Sequence, residues 1–85
     1  MKLTYSYNIA ADNDEEAFIN ACNLIKKAFA ELGEGRLLTD VDGTQVFILE
    51  SGDDKITVSN DYEVGAVFAD STINLDSILN KWARD

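Results

Sequence analysis

Residues 37–49, LLTDVDGTQVFIL, decide the fold of this chain. Two largely apolar segments flank the pair Asp42-Gly43, and an Asp-Gly pair in that setting is a strong signal for a β-hairpin with a type I′ turn. The second segment is apolar on both faces over Val46–Leu49, which is typical of a strand inside a sheet. These residues therefore predict an antiparallel pair of strands.

The neighbouring segments extend this hairpin into a larger sheet. Turn-forming residues at 51–54 and 60–61 separate two further strand candidates, Lys55–Ser59 and Tyr62–Ala69. Near the start of the chain, Lys2–Ile9 alternates polar and apolar residues, which indicates a strand with one buried face. A small sheet of this kind needs helices packed on it to be stable.

Two helices are predicted beside the sheet. Asp12 with Glu15, or Asn13 with Glu16, has the spacing of a capping box, so either Asp12 or Asn13 is expected as the N-cap of the first helix. Asn74 is the expected N-cap of a second, short helix. The apolar stripe of the first helix comprises Phe18, Ala21, Cys22, Ile25, Ala28, Phe29 and Leu32, and that of the second Leu75, Ile78, Leu79 and Trp82.

The order of these elements is β-α-β-β-β-β-α, which predicts a single α+β domain over residues 1–85. In this fold a single, mainly antiparallel sheet carries one long and one short helix, both packed on one face. Phe47 and Trp82 are expected in the core between the sheet and the helices.

Composition argues against an enzyme or a metal protein. The chain has no histidine, and its one cysteine, Cys22, lies on the predicted apolar stripe of the first helix. A cysteine without a histidine lacks its usual activating base, and a metal site lacks its commonest ligands. We therefore expect no enzyme activity, no metal and no cofactor. No signal peptide or long apolar run is present, which predicts a cytoplasmic protein without membrane contact.

Residues 37–44, LLTDVDGT, resemble the first motif of haloacid-dehalogenase-type phosphatases. That resemblance implies a phosphoryl-accepting Asp40 and an acid–base Asp42. The same family has a parallel α/β sheet, which requires a longer chain than this one. The predicted antiparallel strand directly after the motif favours the hairpin interpretation instead.

The charge of the chain is concentrated in the predicted sheet. Residues 40–76 hold nine acidic side chains and one basic one, Lys55, and so carry −8 of the net charge of −9. Net charge selects partners and association rates rather than folds. The imbalance predicts a basic protein partner and argues against direct binding of nucleic acid, whose phosphates an acidic surface repels.

Several acids recur two residues apart, as in Asp40/Asp42 and Asp61/Glu63. In an extended segment this spacing places two carboxylates on one face, about 6.5–7 Å apart, close to the spacing of successive nucleic-acid phosphates. Acids are also common in turns for purely conformational reasons. The predicted contact set for a basic partner is Asp40, Asp42, Asp53, Asp54, Asp61 and Glu63.

Three functions remain open at this point. The first is a small acidic inhibitor or regulator that docks on the basic surface of a nucleic-acid-binding enzyme, in the style of phage or plasmid anti-restriction and anti-CRISPR proteins. The second is an immunity protein or antitoxin that neutralises a basic toxin. The third is a structural subunit or homo-oligomer whose acids only confer solubility, with the Tyr62–Ala69 strand as its interface.

Overall fold

The computed structural model describes residues 5–33 and 35–79 of the chain. Its helical parts are α1 (Glu15–Ala28) and a short 3₁₀ helix (Ala30–Leu32). Its strands, in chain order, are β1 (Tyr5–Ala10), β2 (Arg36–Thr39), β3 (Gln45–Ser51), β4 (Asp54–Asp61) and β5 (Ala66–Ser71).

The five strands form one antiparallel sheet in the order β1-β5-β4-β3-β2. The predicted α+β class and antiparallel sheet are confirmed. β1 and β2 are the two edges, and α1 connects them across one face, where it packs mainly against β4 and β1. β5 is paired on both sides, so it offers no free edge for self-association through the Tyr62–Ala69 segment.

The core lies between α1 and the face of the sheet beneath it. Side chains that face one another across the strands form buried rows, because paired residues of an antiparallel sheet point to the same side. The central row, read from β3 to β1, is Phe47, Val58, Ala69 and Tyr7. α1 contributes the buried residues Phe18, Ala21, Cys22 and Ile25. Phe47 is thus in the core, as the sequence predicts.

The first helix begins later than either capping box predicts. Asp14 is the N-cap, and its carboxylate accepts a hydrogen bond from the Ala17 backbone N–H at 3.1 Å. Asn13 is instead directed to the sheet, where its amide donates to the Asn60 side chain and to the Asp61 carbonyl. A tertiary contact therefore decides between neighbouring residues that would all suit an N-cap.

The β2–β3 hairpin is present, but its turn is not type I′. A type I′ turn needs positive φ at both central residues. Here Gly43 alone is positive, at φ 94°, since no non-glycine residue among those described has positive φ. The Gly43 N–H donates to the Asp40 carbonyl, and the Asp40 N–H donates to the Thr44 carbonyl. This pattern is that of a three-residue loop with a glycine bulge.

The segment after β5 returns beneath the sheet as a single helical turn. The backbone N–H groups of Ile78 and Leu79 both donate to the Leu75 carbonyl, and Leu75 and Leu79 are fully buried. The Leu75 N–H in turn donates to the Tyr7 hydroxyl at 2.7 Å. The predicted second helix is not confirmed over residues 74–79, and Trp82 lies outside the described residues.

Candidate functional site

Three loops meet at one end of the sheet. By strand register, Thr39, Gln45, Asn60, Val67 and Ala10 form the last row that crosses all five strands, and the chain turns close to each of them. The loops are 11–14 between β1 and α1, 40–44 between β2 and β3, and 62–65 between β4 and β5. Together with Asp61 and the first turn of α1, we call them the acidic end.

A network of side-chain amides holds the acidic end together. Asn60 is fully buried; its carbonyl oxygen accepts from the Asn13 amide at 2.9 Å, and its own amide donates to Gln45 at 3.2 Å. The Gln45 amide donates to the Glu15 carboxylate at 3.3 Å. A buried amide is stable only when both its donor and its acceptor find partners. These contacts attach the β1–α1 loop and the start of α1 to the sheet.

The two hairpin loops are also joined to each other. The backbone N–H of Tyr62 donates to the Thr44 hydroxyl at 3.0 Å. A Cβ atom at Gly43 would lie 3.0 Å from the Tyr62 ring, so the ring packs directly on that glycine. The relative position of the two loops is therefore fixed by a hydrogen bond and by a close packing contact.

Several carboxylates of the acidic end form local turn contacts. Asp61 accepts hydrogen bonds from the backbone N–H groups of Glu63 and Val64 at 2.8 and 3.1 Å. Asp42 accepts from the Thr44 N–H at 2.9 Å, and this bond, with a second from the Thr44 side chain, lowers the pKa of the Asp42 carboxyl below its ordinary value of 3.8. Each of these acids has a conformational reason to be where it is.

The charged side chains of the acidic end are nevertheless all negative. The loops and the first helical turn contain no lysine or arginine. The cations of the described chain, which are Lys26, Lys27, Arg36 and Lys55, lie farther along α1 and the strands. The acids of the acidic end are Asp12, Asp14, Glu15, Glu16, Asp40, Asp42, Asp61 and Glu63.

The structure divides the predicted contact set. Asp40, Asp42, Asp61 and Glu63 lie at the acidic end, whereas Asp53, in the β3–β4 turn, and Asp54, the first residue of β4, lie at the opposite end. The distance along β4 from Asp54 to Asp61 is about 23 Å at ~3.3 Å per residue. Successive turns of a meander alternate between its ends, so the β3–β4 turn lies opposite the β2–β3 and β4–β5 loops.

The backbone around the paired acids does not support the phosphate-like spacing predicted for them. That spacing assumes an extended backbone, but Asp42 and Glu63 lie in turns, and Asp14 and Glu16 lie at a helix start. The acidic end is a cluster of three loops rather than a row along a strand. Its resemblance to a nucleic-acid backbone is therefore limited to the sign of its charge.

Apolar side chains lie among these acids, and the predicted contact set for a basic partner does not include them. Val41 is fully exposed, Tyr62 is 46% exposed and Val64 is 67% exposed. Val41 and Val64 belong to loops, although alternation had counted both as strand residues. The signal that identifies them is a large apolar residue within a turn, where a soluble protein has no structural need for one.

Other candidate sites have less support in the structure. Cys22 is buried, and this burial raises its pKa to about 11, although Lys26 lowers it in part, so the thiol stays protonated near neutral pH. Within residues 5–33 and 35–79, no group of three or more acidic, cysteine or histidine side chains is arranged to hold a metal ion. A cleft of about 410 Å³ has Lys26, Ala30, Gly33 and Gly35 as its described lining.

No protein-family model, curated protein or solved structure matches this chain. Among the described residues, no helix has the length and apolar character that crossing a membrane requires. The geometry and charge of the acidic end are therefore the features from which a function can be inferred.

Proposed function

We propose that this protein is a small protein-binding regulator that docks its acidic end on the basic surface of a partner protein. The basic surface is of the kind that nucleic-acid-binding enzymes present to phosphates. The observation that carries the proposal is the combination, on one end of the sheet, of eight acids, no base and three exposed apolar side chains.

The apolar residues favour a protein partner over a merely solubilising role for the acids. Protein interfaces combine an apolar centre with a polar or charged rim, and tyrosine is enriched among the residues that dominate binding. Tyr62, Val41 and Val64 would supply the centre, and the surrounding carboxylates the rim. A surface needed only for solubility has no use for two exposed valines beside the partly exposed Tyr62 ring.

The loops of the acidic end are also fixed before any partner arrives. The Asn60 network, the Tyr62–Thr44 hydrogen bond and the Asp61 turn contacts hold all three loops on the sheet. Binding therefore orders few additional groups, which reduces its entropic cost. The negative charge of the acidic end would also orient the protein as it approaches a basic partner, since complementary fields mainly raise association rates and specificity.

The experiment compares two variants that carry the same net charge. The first reverses one acid in each loop of the acidic end: Asp12→Lys, Asp42→Lys and Glu63→Lys. The second reverses acids away from it: Glu31→Lys, Asp53→Lys and Asp54→Lys. Each set changes the net charge from −9 to −3, because every reversal adds two units. Thermal midpoints are measured first, to show that both variants are folded.

Immobilised wild type and both variants are then incubated with a lysate at about 0.1 M and about 1 M salt, where the Debye length falls from about 10 Å to about 3 Å. We expect the wild type and the second variant to retain basic nucleic-acid-binding proteins at low salt only, with release by added DNA. The first variant should lose them. Equal retention by the two variants, or retention that salt does not weaken, would contradict the proposal.

A further inference from the structure

The β2 edge of the sheet is open to solvent along its whole length. All residues of β2, Arg36–Thr39, are exposed, with Leu37 at 58% and Leu38 at 50%. The other edge, β1, is interrupted by a bulge between Asn8 and Ala10. Edge strands are commonly kept from pairing with another chain by bulges, proline, charged side chains or a short length. β2 has no bulge and no proline, and its protection is limited to its four-residue length and one charged residue, Arg36.

The hydrogen-bond pattern identifies which backbone groups of β2 face outwards. The Asp40 N–H donates to the Thr44 carbonyl at 2.8 Å, so Asp40 points its backbone groups towards β3. Directions alternate along an antiparallel strand, so Leu38 and Arg36 also point inwards, while Leu37 and Thr39 point outwards. No described residue of the chain pairs with the outward N–H and C=O groups of Leu37 and Thr39.

A second copy of this chain can pair with this edge as an antiparallel strand. An antiparallel pair of identical strands has its twofold axis perpendicular to the sheet, so facing residues must belong to the same face. Two registers meet this condition. In the first, Leu37 of one copy faces Leu37 of the other, and Arg36 faces Leu38. In the second, Leu38 of one copy faces Leu38 of the other. In the second register Leu37 and Thr39 pair through their free backbone groups, and Arg36 faces Asp40 on both sides of the axis.

Charge complementarity selects the second register. It forms two Arg36–Asp40 pairs between the copies, at positions where facing Cα atoms of an antiparallel pair are closest, about 4.5 Å apart. Arg36 already lies 3.3 Å from Glu50 of its own chain, and a guanidinium has enough donors for both carboxylates. The antiparallel arrangement also directs the two acidic ends away from each other, which limits repulsion between two copies of charge −9.

We infer that this protein self-associates through β2, with Leu38 facing Leu38 and Arg36 facing Asp40 of the second copy, to form one continuous sheet of ten strands. A four-residue strand buries little surface, so the dimer is weak and its population depends on concentration. This inference is independent of the proposed function, although Asp40 belongs to both surfaces.

Sedimentation equilibrium over a range of protein concentrations tests the inference. The wild type should show a reversible monomer–dimer equilibrium. R36D and D40R should each weaken association by at least roughly tenfold, because each replaces two attractive pairs by two repulsive ones. Lys55→Asp, which makes the same charge change as R36D but away from the edge, should leave association nearly unchanged. A wild type that stays monomeric at all concentrations overturns the inference.

Mixing the two edge variants tests the register itself. An equimolar mixture of R36D and D40R can form a mixed dimer with one copy of each variant. In it, the aspartate introduced at position 36 faces the arginine introduced at position 40, and the unchanged Arg36 and Asp40 face each other. The mixture should therefore recover association close to that of the wild type, whereas each variant alone remains monomeric. Failure of the mixture to associate overturns the register.

A backbone variant tests the edge pairing independently of charge. Thr39→Pro removes the outward N–H of an edge strand, a position where proline is tolerated in a fold. It should abolish dimers while the thermal midpoint shows a folded monomer, and Thr39→Val should retain them. A dimer that survives Thr39→Pro, or that is insensitive to R36D, forms elsewhere on the molecule and overturns the inference.

Discussion

The two ends of the sheet are closed in different ways. At the acidic end, amide and carboxylate side chains hold three loops through hydrogen bonds, with Asn60 buried at the centre. At the opposite end, Leu75 and Leu79 fill the space beneath the strands, and the Tyr7 hydroxyl accepts from the Leu75 N–H. One end is closed by polar contacts between its loops, whereas the other depends on apolar volume.

This difference shows how a local need can produce a global property. Asp14 caps a helix, and Asp42 and Asp61 stabilise turns. Each acid has its own conformational explanation, yet all three lie on one end because the topology places their loops there. A partner would encounter the combined negative charge of these acids. If the two ends are held as differently as their contacts indicate, substitutions in them should have different effects.

The largest effect is expected at the apolar end. Leu75→Ala removes a fully buried side chain and should lower the free energy of unfolding by about 2–5 kcal/mol, measured by urea denaturation. Val64→Ala removes a similar apolar group from the acidic end, where the side chain is exposed, and should change stability by less than ~0.5 kcal/mol. Similar costs at the two positions would contradict the burial on which the comparison depends.

The next effect concerns the amide network. Asn60→Ala leaves the Gln45 side chain without one partner and removes an acceptor from Asn13, which should cost about 1–3 kcal/mol. The loss is local to the acidic end, so amide hydrogen exchange should accelerate over residues 11–17 more than in the segment after β5. A uniform acceleration across the chain would show that Asn60 does not act on these loops in particular.

A smaller effect separates the turn role of Asp61 from its charge. Asp61→Asn keeps an acceptor for the Glu63 and Val64 N–H groups, while Asp61→Ala removes it. We expect the alanine variant to lose about 1 kcal/mol of stability and the asparagine variant only a few tenths, by thermal denaturation. Equal losses in the two variants would mean that the charge, not the hydrogen bonds, stabilises this turn.

The smallest effect is the pH dependence due to Asp42. Its pKa is lowered in the folded protein by hydrogen bonds from Thr44, so the ionised carboxylate favours the folded state. That contribution is complete above the ordinary pKa of 3.8 and is lost as pH falls through the lower folded value. Asp42→Asn should therefore be slightly less stable than wild type at pH 6, with a difference that shrinks below pH 3.8. A difference that grows on acidification would contradict this sign.

The sequence predicted those parts of the fold that depend on local patterns. Alternation and turn residues located β3 and β4, and the apolar stripe of α1 located its buried face, because the signal for each is contained within a few residues. The N-cap was misplaced because Asp12, Asn13 and Asp14 are all suitable, and a hydrogen bond to the distant Asn60 decides among them. β5 begins at Ala66 rather than at the predicted Tyr62, because residues 62–65 form the β4–β5 loop.

The candidate site was only partly predictable. That Asp40, Asp42, Asp61 and Glu63 share an end follows from the alternation of turns in a meander. That the β1–α1 loop lies at the same end does not follow from this alternation, since it depends on β1 pairing with β5 rather than with β2. Sheet order is set by long-range pairing, and no local pattern in Tyr5–Ala10 specifies its neighbour.

The position of β1 also has a consequence for the order of folding. Strands β2 to β5 each pair with a neighbour close in the chain, whereas Tyr5 pairs with Ser71, so the first strand completes the sheet last. Contacts between distant residues carry a large loop-closure cost and slow folding. During synthesis, β1 leaves the ribosome before the other strands but can pair only after β5 has emerged.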